Sequence, residues 1–377
     1  MTAAVEGDRA RSVSLVQTSL DRTAPPCPHF QSCGGCVAQH MAAALYRKWK
    51  VALVSAALGD RREGTKLHDM IDAHGDGRRR VTMHIRKEGG DLQAGFMAAR
   101  SHLLIDIDRC PLLVDALRQA FSAARALAAL PEGRVAFDLW LTAADNGIDV
   151  DIRGLERAKD LALDAVAAEA RAHRLIRISR HGDLLYQSER PYVTCGRVKV
   201  EMPPGAFLQA TASAEQAIAE RVLVHAGKAR RVADLFCGIG PYALRLADRA
   251  PVFAFDADRP AIAALASAAA RSPGLKPVAA TVRDLFRSPL TTAELDGFDT
   301  IVVNPPRQGA ESQCRHLAGV AARTVIMVSC NPATFARDAD ILAAGGYRLL
   351  EVTPVDQFLW SPHVELVALF VKSGRRT

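Results

Sequence analysis

At 377 residues the chain exceeds a single typical domain and is long enough to bury more than one core. Its net charge of +7 and pI near 9.1 point to an anionic partner. No run of about eighteen apolar residues occurs, and residues 1–26 lack the marks of a secretory signal, so a cytoplasmic protein without a membrane role is expected. Eight cysteines in such a chain suit metal binding or catalysis better than a disulfide framework.

Residues 1–26 are polar, end in Pro25-Pro26 and show no sustained period, which reads as a disordered tail. From Cys27 to about Lys199 the pattern is mixed α+β. An Ala-rich helix is expected over 41–58, strands near 81–86, 93–97 and 147–153, and helices near 111–129 and 157–173. This half carries the basic excess, with 29 Lys+Arg against 24 Asp+Glu in residues 1–200. The clusters are Arg47-Lys48-Trp49-Lys50, Arg78-Arg79-Arg80, Arg86-Lys87 and the arginines at 171, 174, 177 and 180. They are either a solvated face or a grip on phosphates.

From about residue 200 to the end, strands and helices alternate. Strands fall at 231–236, 252–255, 299–303 and 324–329, with helices at 212–226, 241–249, 259–271, 311–322 and 332–343, and two closing strands at 347–355 and 363–371. That rhythm predicts a parallel doubly wound sheet. The first strand leads into Asp234-Leu235-Phe236-Cys237-Gly238-Ile239-Gly240, where glycines let backbone approach a ligand closely. Asp256 ends the second strand and is placed to accept from ribose hydroxyls. NAD fits that geometry too, but the third glycine of a dinucleotide turn is missing, which favours an adenosine ligand without phosphates, S-adenosylmethionine. Asp284 is placed near the adenine edge or is a surface loop acid.

Ser329-Cys330-Asn331-Pro332 sets a thiol at a strand-to-helix corner, with Asn331 as N-cap and proline at the first helical position. A thiolate there is expected to be stabilised by the helix end. Cys33-x2-Cys36 taken alone suits zinc.

Together, Asp234 to Gly240, Asn304-Pro305-Pro306-Arg307, Ser329 to Pro332 and His363-Val364-Glu365 resemble the RNA 5-methyluridine methyltransferases, with Cys27-x5-Cys33-Gly34-Gly35-Cys36 as a further signature. The resemblance spans roughly 27–371. It implies a class I S-adenosylmethionine-dependent enzyme with a C-terminal Rossmann-like methyltransferase domain over 200–377 and an N-terminal α+β domain over 27–199 bearing an iron–sulfur cluster. Cys330 falls on the nucleophile and Glu365 on the general base. Gln209, Phe236, Gly238, Gly240, Asp256 and Asp284 fall on the methyl-donor site, with Asn304 at its edge facing the uracil. Cys27, Cys33, Cys36 and Cys110 fall on ligands of a [4Fe–4S] cluster. The implied substrate is RNA, ribosomal first and transfer RNA second, and a non-catalytic RNA-binding assembly factor of the same fold is the alternative. Asn304 stands where the family usually has Asp, and Pro241 and Thr211 each replace a frequent Asn. These departures bear on substrate identity more than on reaction type.

Overall fold

The computed structural model describes residues 2–6, 9–14, 17–88, 90–155 and 161–372. The start of the helix expected from 157 lies outside them; its described part is Leu163–Ala172.

One sheet orders its strands as Val278–Val282, Val252–Asp256, Val232–Leu235, Thr300–Val303, Thr324–Ser329, Glu365–Lys372 and Tyr347–Asp356. The first five run parallel, while Glu365–Lys372 lies antiparallel to both of its neighbours. Alternate residues enter opposite cores. Val252, Val302, Ile326 and Val367 pack on one face, and Ala233, Ile301, Val325 and Leu366 on the other. A sheet buried on both faces reads as continuous apolar runs, which is how these strands announce themselves in sequence. Strand order reverses between Val232–Leu235 and Thr300–Val303, and ligands bind at the strand carboxyl ends beside such a switch point.

A second sheet has seven strands, in the order Asp183–Gln187, Leu175–Arg180, Gly147–Arg153, Val135–Ala144, Arg80–Glu88, Asp91–Met97 and Leu104–Asp106. The helix Asp115–Ala129 covers it with Leu117, Phe121, Ala124 and Leu127, an i, i+3, i+4 stripe.

The chain does not divide cleanly near residue 199. The helix Ala43–Leu58 inserts Val54 and Leu58 into a core of the larger sheet, and Lys66–Leu67 and Ile71–Asp72 pair with Tyr347–Asp356. The hairpin Tyr192–Cys195 and Val198–Glu201 also packs there. At the chain start Thr2–Glu6 pairs with Arg9–Ser14, where an irregular tail was expected. Among the described residues no helix is long and apolar enough to cross a membrane.

Candidate functional site

A cavity of about 440 Å³ opens at the carboxyl ends of the central strands. Gln209, Phe236, Gly238, Asp256, Asp284, Asn304, Cys330 and Glu365 all line it. Residues from seven separate stretches are thereby brought to one place. Gly240 is absent from the lining and serves packing instead, since a Cβ there would sit 2.3 Å from Leu265 Cδ1.

At one end the backbone turns tightly after Leu235. Phe236 adopts φ +62° and Gly238 φ +54°. Holding a non-glycine residue there costs about 1–3 kcal/mol and is tolerated where the surroundings fix it. Here they do: Phe236 and Cys237 both donate their amides to Phe255 O, at 2.9 and 3.1 Å. Gly238 N–H donates to Asp256 Oδ2 at 2.8 Å and Asp258 N–H to Oδ1 at 2.9 Å, so the acid ending the second strand is held facing the turn. The Phe236 and Phe286 rings lie 5.2 Å apart beside it. Asp284 accepts from the amides of Phe286 and Arg287, which ties its Oδ1 to its own loop while the residue still faces the cavity.

At the other end lie the thiol and the carboxyl. Ser329 pairs with Leu366, so Cys330 and Glu365 sit one rung further on across adjacent strands. Asn331 caps its helix by accepting from Ala333 N–H, and donates from Nδ2 to Arg307 O at 3.0 Å. The corner is thus fastened to the Asn304–Arg307 loop. The Cys330 thiol is not favoured as an anion, contrary to expectation. Burial pushes its pKa up, the nearby Glu365 adds to the rise, and Arg307 and the backbone only partly oppose it. Glu365 is itself buried, and burial raises it to about 7 despite a hydrogen bond from Gln357 and the charge of Arg307. A carboxyl titrating near neutrality is suited to taking and releasing a proton.

Gln357 carried no clear sequence signal. Gln357 Nε2 donates to Glu365 Oε2 and to Gln209 Oε1, both at 2.7 Å, and its Oε1 accepts from Ala210 N–H at 2.8 Å. Gln209 in turn donates to the buried Tyr242 hydroxyl at 3.2 Å. Arg307 stood within a motif, but its effect on both Cys330 and Glu365 emerges only in three dimensions.

A second cavity, of about 560 Å³, is lined by Cys27, Cys33, Cys36 and Cys110. It shares Arg80, Phe207, Ala210 and Phe358 with the first, so the two adjoin. All four thiols are free. Burial raises Cys33, Cys36 and Cys110, and charge on the neighbouring cysteines raises each further. Among the described residues no three His, Cys, Asp or Glu side chains converge as ligands of one ion. Gly34 permits the arrangement: its N–H donates to Met97 O, and a Cβ would lie 2.8 Å from Ala99 N.

Several residues of the basic runs turn inward. Arg79 is buried, donating to Glu215 Oε2 at 2.6 Å and to Gln209 O at 3.1 Å. Burial lowers Arg78, and lowers Arg80 to about 10. Arg177 is buried against Asp149, and Lys50 is wholly buried. Arg79, Arg177 and Lys50, being buried, are neither a solvated face nor a phosphate grip. Arg47, Lys48, Arg86, Arg171 and Arg174 stay exposed.

A doubly wound sheet with a glycine turn and an acid ending the second strand is an α/β architecture suited to binding a nucleoside. Known proteins agree. The tRNA (Uracil-5-)-methyltransferase family model matches residues 272–373, and a methyltransferase small-domain model matches 198–322. An uncharacterized RNA methyltransferase of Brucella melitensis is 41% identical, over 100% of this chain and 91% of its own. The 23S rRNA (uracil(1939)-C(5))-methyltransferase RlmD of Edwardsiella ictaluri is 32% identical, over 97% of this chain and 86% of its own. In structure, the Pyrococcus abyssi tRNA (uracil-54, C5)-methyltransferase, solved with S-adenosyl-L-homocysteine, has a TM-score of 0.74 at 22% identity, covering 98% of this chain and 91% of that one. The chain belongs to the RNA uracil-5-methyltransferase family and is an RNA methyltransferase with a Rossmann-like fold that uses S-adenosylmethionine.

Proposed function

We propose that the protein methylates C5 of a uridine in RNA, 23S rRNA being the preferred substrate, through a covalent adduct at Cys330. The observation carrying this reading is the convergence of Cys330 and Glu365 on the cavity that also holds Gly238 and Asp256. S-adenosylmethionine supplies an electrophilic methyl group. Phe236, Gly238, Asp256, Asp284 and Gln209 would hold it, and the cavity's mix of aromatic, glycine and carboxylate walls suits a nucleoside carrying a cationic sulfonium.

Carbon 5 of uracil is a weak nucleophile. Addition of the Cys330 thiolate at C6 pushes the ring electrons into an enolate, and C5 then attacks the methyl carbon as its bond to sulfur breaks. Glu365 next removes the proton on C5, the C5–C6 double bond re-forms and Cys330 leaves as thiolate. Arg307 opposes the rise in Cys330 and offsets the charge that Glu365 sets beside it. Asn304 can accept from N3–H and donate to O4 of the base. The uridine must lie in a loop or be flipped from its stack to enter. The rRNA preference leans on the Edwardsiella relative. Cys27, Cys33, Cys36 and Cys110 would hold a [4Fe–4S] cluster that organises the surrounding segments, in a chain acting in the cytoplasm.

Cys330→Ala is expected to abolish turnover, and Glu365→Gln to trap a protein–RNA adduct seen as a shifted band on denaturing gels with labelled RNA. Normal activity in Cys330→Ala would sink the covalent route. Mapping 5-methyluridine in rRNA and tRNA from a deletion strain identifies the substrate, and loss confined to tRNA would overturn the rRNA preference. Anaerobically purified protein with stoichiometric zinc and no iron would overturn the cluster.

A further inference from the structure

Glu365, read as the general base, sits at the end of an irregular stretch. Residues 357–364 leave the strand Tyr347–Asp356, cross over and enter Glu365–Lys372. No regular element spans them. Trp360 sits at φ +60°, a strained conformation for a bulky residue.

We propose that Lys50 is a positioning residue for the proton-removal step, clamping this crossover so that Gln357 and Glu365 meet the substrate at a fixed angle. The proposal rests on the reading of Glu365 as the base. Lys50 lies on the helix Ala43–Leu58 and is wholly buried. Its Nζ donates to Asp356 Oδ1 at 2.7 Å, Phe358 O at 3.1 Å and His363 O at 2.6 Å. An ammonium has three protons, and these partners stand before, within and at the end of the crossover. Tyr46, one turn earlier on the same helix face, donates to Asp356 Oδ2 at 2.7 Å and accepts from Trp360 N–H at 3.1 Å. The amides of Val37 and Ala38, directly after Cys36, donate to Trp360 O at 2.8 and 3.2 Å. Asp356 is also met by His74 Nε2 at 3.0 Å and by Phe358 N–H at 3.2 Å.

Gln357 lies between two clamped residues, Asp356 and Phe358. Its amide has one orientation that serves Glu365, Gln209 and Ala210 at once. Fixing the backbone on both sides therefore fixes the carboxyl that Gln357 holds. A buried ion pair is a poor route to stability, because desolvation offsets most of the attraction and apolar residues of similar volume do as well. A group that ties three points of one irregular segment does what an apolar residue cannot. Displacing a catalytic group by about 1 Å can cost roughly a hundredfold in rate.

The test uses the full chain. Because Lys50→Met strands the buried Asp356 charge, the double variant Lys50→Met with Asp356→Asn and the milder Tyr46→Phe are measured beside it. A positioning role predicts kcat lowered by roughly ten- to a hundredfold in the lysine variants. RNA KM and methyl-donor Kd should stay within about twofold, well under the tenfold that 1.4 kcal/mol would bring. Labelled RNA should accumulate as the denaturation-resistant adduct, and amide exchange across 357–364 should quicken. Wild-type kcat and exchange in the double variant would overturn the clamp. So would loss of donor binding and adduct formation together, which marks general structural damage. Glu365→Gln is the control. If it traps no adduct the base assignment fails, while kcat and exchange in the lysine variants still decide the clamp.

Discussion

Asp356 and Glu365 stand at the two ends of one crossover, both almost without exposure, and they hold their protons oppositely. Glu365 has one neutral amide for a partner and burial wins, raising it to about 7. Asp356 meets the same burial, but bonds from His74, Lys50 and Tyr46 outweigh it and hold the carboxyl below its ordinary range. Burial alone sets neither state; the number and charge of the partners do. One carboxyl is surrounded so that it stays an anchor, the other so that its proton can come and go.

The sharpest way to break this contrast is to remove the anchor. Asp356→Leu leaves Lys50 charged and unpaired in the interior, a change that costs about 3–5 kcal/mol in comparable buried pairs. Urea unfolding at pH 7 measures it; a loss under about 1 kcal/mol would mean that the pair is not buried as described.

Glu365→Gln should do the reverse at high pH. A carboxyl whose pKa is raised on folding contributes stability that is fully present below its ordinary value, 4.5, and lost as pH rises through about 7. Above that window the wild type bears a charge the variant lacks. The variant should be the more stable by up to about 3 kcal/mol at pH 8, following 1.36 kcal/mol per unit, and no more stable at pH 4. Asp356 has the opposite window, contributing stability above 3.8 that is lost as pH falls through its lowered value. For the same reason turnover limited by proton removal should rise with pH and level off near 7. A rate independent of pH between 5.5 and 8, at saturating RNA, would remove Glu365 from that step.

What sequence could show of all this follows from distance along the chain. Asp256, Asn304, Cys330 and Glu365 each end or open an apolar run, and parallel strands deliver their carboxyl ends to one edge, so their gathering around one cavity was legible. The short strands Tyr192–Cys195 and Val198–Glu201 have no such run and went unread. The basic runs misled because their partners are remote. Arg79 meets Glu215 across 136 positions and Lys50 meets Asp356 across 306, and no local pattern distinguishes an inward arginine from a solvated one. The depressed thiol expected at Cys330 failed similarly. The helix end was visible in Asn331-Pro332, but burial of the thiol outweighs it, and the Glu365 carboxyl arriving from the next strand adds to the rise.

Asp256 offers the smallest and most selective test, because it is a third carboxylate whose partners are backbone amides. Gly238 and Asp258 occupy one lone pair on each oxygen, leaving the others free for ribose hydroxyls. Asp256→Asn keeps the shape but replaces one acceptor with a donor facing those amides or the sugar. Hydrogen bonds to a charged group are worth about 1.5–3 kcal/mol, and the orientation of the turn is partly kept by the Phe255 carbonyl, so the lower end applies. The expected loss is roughly tenfold in methyl-donor affinity by calorimetry. RNA affinity and the pH dependence set by Glu365 should not move, since Asp256 stands at the other end of the cavity. A shift in that pH dependence would show that the two ends are electrostatically joined, and the contrast between anchor and base would then have to include the cofactor turn.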